Sequence, residues 1–103
     1  MIRKQIAIDF AQSINNKSIE KIILFGSVAR GDDTEDSDID ILIIVKDPTS
    51  EFSIKKEIYE KVFNVLMNEK IRISVKIRTK EFYQKYINSS FLSNVIKDGV
   101  IIG

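Results

Sequence analysis

The sequence contains no cysteine and no histidine, and these two absences remove much of the usual metal and acid–base chemistry of proteins. Without cysteine there can be no disulfide and no thiolate metal ligand. Without histidine the chain lacks the commonest general base and the commonest metal ligand. Any bound metal would therefore have oxygen ligands, which favours magnesium, manganese or calcium.

Further absences narrow the class of protein. No run of 18 or more apolar residues occurs, so no membrane span is expected. The first residues, Met-Ile-Arg-Lys, lead into an amphipathic pattern rather than a signal peptide, which favours a cytoplasmic location. No basic stripe with interleaved aromatic residues is present, so direct binding of duplex nucleic acid is not expected. With 103 residues, 44% of them hydrophobic, the chain is expected to form one small domain, residues 1–103, that would gain stability from a partner or a second copy.

The hydrophobic pattern predicts an α/β (α+β) fold in which a small mixed sheet is flanked by helices. Helical spacing of apolar residues is found over 2–16, over 51–68, after a Thr79 cap through about residue 87, and around 91–98. Strands are predicted over 19–25, 38–46 and 71–78, with a short one at 100–102. The connection between the first two strands is too short for a crossover helix, so they are expected to be antiparallel neighbours.

Two aspartates, Asp38 and Asp40, lie two residues apart at the start of the second predicted strand. Because side chains alternate along a strand, both carboxylates should project from one face. Two carboxylates so placed repel each other unless a cation lies between them, and a hard divalent ion suits their oxygens. Taken alone, the pattern is better explained by a solvated strand end, because so short a motif often occurs by chance.

A second feature, Gly26-Ser27, follows the first predicted strand and precedes Val28-Ala29-Arg30, which can form one helical turn. Glycine allows a sharp turn and a close approach to a ligand. Ser27 would offer a hydroxyl and a backbone N–H to a phosphate. The alternative for this turn, again taken alone, is an ordinary strand exit with a serine cap.

Three other ligand-binding motifs do not match the sequence. Neither G-x-x-x-x-G-K-[ST] nor G-x-G-x-x-G occurs. Asp36, Asp38 and Asp40 match the first three ligands of a calcium loop, but that loop needs glycine and glutamate where this chain has Ile41 and Asp47. The calcium loop is therefore rejected.

The combined motif is more specific than its parts: Gly26-Ser27, ten intervening residues, then Asp38-Ile39-Asp40 on an apolar strand. It resembles the nucleotidyltransferase superfamily of DNA polymerase β, and in particular its minimal nucleotidyltransferases. The resemblance implies that Gly26 and Ser27 bind a triphosphate, and that Asp38 and Asp40 are catalytic ligands of Mg2+ or Mn2+. Arg30 matches an arginine of the motif and could contact phosphate or pair with the acidic loop.

The same resemblance implies transfer of a nucleoside monophosphate, AMP from ATP, to an acceptor. A chain this short has no room for a base-binding or acceptor-binding domain, so the acceptor would lie on another protein or another copy. Minimal members occur with helical HEPN-type proteins in toxin–antitoxin pairs, which implies such a partner here, with a homo-oligomer as the other choice.

One departure from the family pattern concerns residues 71–78. Active members often have a third carboxylate on a strand beside the one that carries the two aspartates. Here that neighbouring strand should be 71–78, but its polar face carries only Arg72, Ser74, Lys76 and Arg78. Ser74 stands where the carboxylate is expected, and Lys76 on the same face is an accessory candidate as a fixed cation. The alternative function is therefore a module that binds nucleotide or partner with weak turnover or none.

Overall fold

The computed structural model describes residues 2–103, so Met1, the first residue of the predicted domain 1–103, lies outside the described residues. Nine elements follow in order: α1 Ile2–Ser13, β1 Ile19–Phe25, α2 Gly26–Arg30, β2 Ile39–Val45, α3 Pro48–Glu69, β3 Ile73–Thr79, α4 Lys80–Lys85, α5 Ser90–Asp98 and β4 Val100–Ile101. This order is the one that the hydrophobic pattern predicts. In residues 2–103 no helix combines the length and the apolar character that crossing a membrane requires.

The four strands form one mixed sheet in the order β3-β2-β1-β4. β1 is antiparallel to β2 and to β4, whereas β2 is parallel to β3. The predicted antiparallel pairing of the first two strands is therefore confirmed. The parallel pair is possible because α3, with 22 residues, supplies the crossover.

The central strand β2 is buried on both faces, because helices cover the sheet on each side. On one face Ile39, Ile41 and Ile43 pack with α1 and α3 in the larger core cluster. On the other face Leu42 and Ile44 pack with residues of α5 in a smaller cluster. Since the α5 cluster covers only the later part of this second face, the earlier part, where Asp40 projects, stays partly open.

The predicted bounds of several elements are wrong by a few residues, for local reasons. α1 ends at Ser13 rather than residue 16; there the Ser13 hydroxyl donates a hydrogen bond of 2.6 Å to the Phe10 carbonyl. α3 begins at Pro48, because the Asp47 side chain accepts from the Ser50 N–H and proline suits the first helical position. α4 ends at Lys85 rather than residue 87.

Strand bounds differ in the same small way. β2 covers 39–45 rather than 38–46, β3 covers 73–79 rather than 71–78, and β4 covers 100–101 rather than 100–102. The shift of β3 has a visible cause, because the Ile39 N–H donates to the Arg72 carbonyl and the parallel ladder starts only beyond that contact. The Thr79 cap is confirmed, since its side chain accepts from the Phe82 N–H.

Candidate functional site

Gly26 and Asp40 form the closest contact of the candidate site. Phe25, the last residue of β1, pairs directly with Asp40 of β2, so the chain turns at Gly26 immediately beside the aspartate. Gly26 has φ +77°, and a Cβ added there would overlap the Asp40 carboxylate. Both the backbone conformation and the contact therefore require glycine at this turn. The sharp turn that the sequence predicts is present, and the backbone that makes it lies against a carboxylate.

Asp38 and Asp40 act on each other electrostatically. Burial raises the pKa of Asp40, and the negative charge of Asp38 raises it further. Two positive side chains, Lys76 and then Arg30, oppose this shift. Asp38 lies immediately before β2 and Asp40 within it, so the pair stands at the open end of the strand. A site of this kind, with clustered negative charge partly removed from water, favours a bound cation.

Ser27 lies in the first turn of α2, directly after Gly26. No side-chain hydrogen bond caps the start of this helix. The first N–H groups of any helix have no partner within it, and this helix begins at Gly26, beside Asp40. Ser27 itself is half-buried, and its carbonyl accepts from the N–H groups of Gly31 and Asp32, which fixes the turn.

Arg30 makes ion pairs rather than pointing freely into the site. Its guanidinium lies 3.3 Å from Asp32 and 3.4 Å from Asp98. The hydrogen bond to Asp32 is the main reason that the pKa of Arg30 is raised. Asp98, at the end of α5, carries no signal in the sequence that would have linked it to Arg30. The arginine therefore ties α2 to the acidic loop and to α5 while its charge still reaches Asp40.

Ser74 and Lys76 lie on the same face of the sheet as Asp40. In the parallel pair of β2 and β3, Asp40 is opposite Ser74 and Leu42 is opposite Lys76. Cross-strand partners project from the same face, so Ser74 is the immediate neighbour of Asp40. The adjacency of the two strands and the facing of Ser74, both predicted from sequence, are present. Lys76 is exposed, and its ammonium lies 5.9 Å from the centre of the Phe91 ring.

Arg3, which sequence reasoning did not single out, holds the acidic loop that leads to Asp38. Its guanidinium donates to the carbonyls of Ser37, at 3.0 Å, and Glu35, at 2.6 Å. A cleft of about 450 Å³ opens beside Asp38 and is bounded by Arg3, Arg72 and the acidic loop. No sequence pattern links Arg3 to residues more than 30 positions away, so only the fold reveals this contact.

The residues of the site fit a divalent cation, and they include only two carboxylates. Asp38 and Asp40 supply hard oxygen ligands, and the missing Cβ of Gly26 leaves room beside Asp40. Within residues 2–103 no group of three or more acidic, histidine or cysteine side chains is placed to share one metal. A cation at this place would therefore have two carboxylate ligands from the described residues, and further ligands would come from water or from a bound phosphate.

The fold and this site define a nucleotidyltransferase. Residues 5–101 match the nucleotidyltransferase domain family, so the chain belongs to that family and is a minimal nucleotidyltransferase, as the motif predicts. Two candidate protein adenylyltransferases of Methanocaldococcus jannaschii are similar to it over nearly their whole length. MJ0604 is 38% identical over 97 residues, which cover 91% of each chain. MJ0141 is 34% identical over 100 residues, which cover 96% of this chain and 93% of that protein.

Solved structures share the fold. A toxin–antitoxin crystal structure with AMP-PNP aligns with a TM-score of 0.54 and 18% identity, over 97% of this chain and 72% of the other. A mutant of the MntA–HpeT toxin–antitoxin aligns with a TM-score of 0.53 and 17% identity, over 98% and 72% of the two chains. At these identities the likeness establishes the fold, which confirms the predicted nucleotidyltransferase architecture.

Proposed function

We propose that this chain binds ATP at Gly26, Ser27, Asp38 and Asp40 and transfers AMP to an acceptor on a partner protein. The observation that carries the proposal is the contact between the Gly26 turn and the Asp40 carboxylate. It places backbone that can approach phosphate directly beside a carboxylate pair that favours a cation. The likeness to candidate protein adenylyltransferases supports AMP as the group transferred and protein as the acceptor.

Each residue has a distinct part in the proposed reaction. The Gly26-Ser27 turn binds the β- and γ-phosphates through backbone N–H groups and the Ser27 hydroxyl. Asp38 and Asp40 hold Mg2+ or Mn2+, which when bound supplies positive charge to the phosphates and to the leaving group. Arg30, already paired with Asp32 and Asp98, keeps α2 and its phosphate turn in place against α5.

The transfer itself is a substitution at the α-phosphorus. A hydroxyl oxygen of the acceptor forms a bond to that phosphorus while the bond to the bridging oxygen of the β-phosphate breaks. Pyrophosphate leaves with the bonding electron pair, and the hydroxyl proton passes to solvent. The chain has no histidine that could take the proton, and the contribution proposed for its residues is orientation and charge.

The proposed partner is a small helical HEPN-type protein. One structure that shares this fold is a toxin–antitoxin with AMP-PNP, which supports a similar pairing here. Exposed apolar side chains along α3 also support a protein partner, since Phe52 is 84% and Phe63 57% exposed. The second choice remains a homo-oligomer, in which another copy would cover the same helix.

Transfer is tested with ATP labelled in the α-phosphate and, in parallel, with ATP labelled in the γ-phosphate. Each is incubated with the chain, Mg2+ and a candidate helical partner encoded beside it. Transfer of AMP predicts that the partner acquires the α-label and not the γ-label. The Asp40→Asn variant serves as the control and should transfer neither. A γ-label on the partner would contradict nucleotidyl transfer to it.

A second function is favoured by one observation, the serine opposite Asp40. Because Ser74, directly opposite Asp40, stands where the resemblance implies a third carboxylate, the chain could bind nucleotide and partner without turnover. This binding module would retain ATP affinity and partner affinity in the labelling experiment and leave the partner unlabelled. An unlabelled partner that still binds would therefore favour the module over the transferase.

A further inference from the structure

Lys76 is a positive side chain beside the aspartate pair that the proposed function leaves without a role. It is exposed, and among residues 2–103 no carboxylate lies within ion-pair distance of it. Arg30, the other positive side chain whose charge acts on Asp40, is paired with Asp32 and Asp98. An unpaired lysine next to two carboxylates is available to an anionic ligand.

The sheet register places Lys76 one row from Asp40. The first row across this face is Phe25, Asp40 and Ser74, and the second is Ile23, Leu42 and Lys76. Successive rows on one face are separated by two residues, about 6.6 Å. The side chain of a lysine is long enough to span such a gap, so its ammonium can reach the space above the Asp40 row.

Phe91 directs the lysine toward that row. The Lys76 ammonium lies 5.9 Å from the centre of the Phe91 ring, a cation–π contact. The Phe91 ring in turn packs edge-on against Phe25 at 5.7 Å. Phe25 is the cross-strand partner of Asp40. The ammonium is therefore held on an aromatic pair that borders the carboxylate site.

Two polar residues of β3 stand on the Asp40 face of the sheet: Ser74 is opposite Asp40, and Lys76 is one row further along. Among residues 2–103 no third acidic side chain is placed to share a metal with Asp38 and Asp40. A second metal ion would find no additional acidic ligand there, whereas a phosphate would find a cation.

We propose that Lys76, held by Phe91, contacts the phosphates of the nucleotide as a fixed cation beside the metal-binding aspartates. Lys76 is then a phosphate-binding residue and Phe91 its positioning residue. This inference rests on the proposed function, because the ligand is the triphosphate bound at Asp38 and Asp40. It predicts a nucleotide site that works with fewer metal ligands than a site with three carboxylates.

The test is a calorimetric titration with a non-hydrolysable ATP analogue and Mg2+. Lys76→Ala should weaken binding about tenfold or more, the effect of losing a hydrogen bond to a charged group. Lys76→Arg should retain most of the affinity. The matched control is Lys85→Ala, because Lys85, the last residue of α4, makes a similar contact of 5.5 Å with Tyr86, and α4 lies beyond the far end of β3. It should leave the affinity unchanged.

The role of Phe91 is tested by measuring nucleotide affinity in one variant that removes the aromatic ring and in another that keeps it. Phe91→Leu keeps an apolar side chain but removes the ring, so affinity should fall in the same direction as in Lys76→Ala. Phe91→Tyr keeps the ring and should bind like the wild type. Thermal unfolding of each variant excludes a folding defect as the cause of lost binding.

The outcomes separate the two levels of the proposal. If Lys76→Ala binds the analogue as tightly as Lys85→Ala while Asp40→Asn does not bind, the nucleotide site stands and the role of Lys76 is wrong. If the wild type itself does not bind the analogue, the proposed nucleotide site and the role of Lys76 are both wrong. A loss of affinity in Lys76→Ala, together with retained affinity in Lys76→Arg, supports the nucleotide site and the role of Lys76.

Discussion

At the scale of single residues, Gly26 and Asp40 define the site, and the chain provides a matched control for the glycine. Gly26→Ala should destabilise the fold, because φ +77° is unfavourable for alanine and the new Cβ would overlap the Asp40 carboxylate. Gly31 has a similar φ of +83° with open space around it. Gly31→Ala should therefore lower the unfolding free energy only by the effect of the unfavourable backbone conformation, about 1–2 kcal/mol. Denaturant unfolding of both variants measures the difference.

That difference isolates the contact with Asp40. We expect Gly26→Ala to lose more unfolding free energy than Gly31→Ala and to lose nucleotide binding, which Gly31→Ala should keep. Equal losses of stability and unchanged nucleotide binding in both variants would mean that the close approach of Gly26 to Asp40 is of no consequence.

Asp40 gives a prediction that depends on pH. Its pKa is raised in the folded chain by burial and by Asp38, so the folded state holds the proton more tightly than the unfolded state. This group therefore stabilises the fold at low pH and loses that contribution as the pH rises through its folded pKa. Without metal, Asp40→Asn should be more stable than wild type at pH 7. The advantage should shrink below about pH 4, the ordinary range of aspartate.

Thermal unfolding in EDTA across this pH range tests the prediction, and the same variant should fail to bind ATP with Mg2+. Asp9→Asn on the exposed face of α1 is the control and should show no comparable advantage at pH 7. If Asp40→Asn unfolds the protein outright, the aspartate is needed for the fold, and its assignment as a metal ligand is wrong.

Ser27 contributes less than the aspartates, because its backbone N–H remains when the side chain is removed. Ser27→Ala should weaken nucleotide binding by about 1.5–3 kcal/mol, the usual value of a hydrogen bond to a charged group. Calorimetry with Mg2+ present measures the change. An unchanged affinity would mean that the Ser27 hydroxyl does not contact phosphate.

At the scale of elements, the parallel pairing of β2 and β3 determines what stands beside Asp40. Ser74→Asp would add a carboxylate directly opposite it. In the wild-type background we expect little change in ATP affinity, because Lys76 already supplies positive charge on this face. In a Lys76→Ala background the new carboxylate should restore binding, with a steeper dependence on Mg2+.

Titration of Mg2+ at constant ATP compares the double variant with Lys76→Ala alone and so measures whether a metal ligand can replace the lysine. Restored ATP binding with a steeper dependence on Mg2+ is the expected outcome. If the double variant binds no better than Lys76→Ala, a carboxylate at position 74 does not reach the metal site.

Most elements could be predicted from the sequence, because each carries a local signal. The alternation in β3, the isoleucine-rich β2 and the Thr79 cap follow from residue type and spacing. The contacts that complete the site could not be predicted in this way. Asp98 pairs with Arg30 across 68 positions, and Phe91 meets Lys76 only because α5 packs over the sheet. Such contacts depend on how elements pack, which no local pattern encodes.

At the scale of the whole molecule, the face that carries Asp40 and the exposed side of α3 are separate features. Asp40 projects from the face covered in part by α5, whereas α3 packs on the opposite face of the sheet. Phe52, Tyr59, Phe63 and Met67 are exposed along α3 at spacings of seven, four and four residues. Nucleotide binding and partner binding should therefore be separable by mutation.

We expect the double variant Phe52→Ser, Phe63→Ser to lose binding of the helical partner and to keep ATP affinity. Copurification of the pair and calorimetry with ATP measure the two properties. Phe82→Ser, which alters an exposed phenylalanine of α4, is the control and should retain the partner. A double variant that still binds its partner at wild-type strength would place the interface elsewhere.

The central claim is that Asp38, Asp40 and the Gly26 turn form one nucleotide site that depends on a divalent cation. The most direct measurement is calorimetric titration of the wild-type chain with a non-hydrolysable ATP analogue, once with Mg2+ and once with EDTA. Because two carboxylates repel a triphosphate unless a cation lies between them, we predict binding with Mg2+ and loss of most of it with EDTA. Equal affinity in the two conditions, or no binding in either, would contradict the claim.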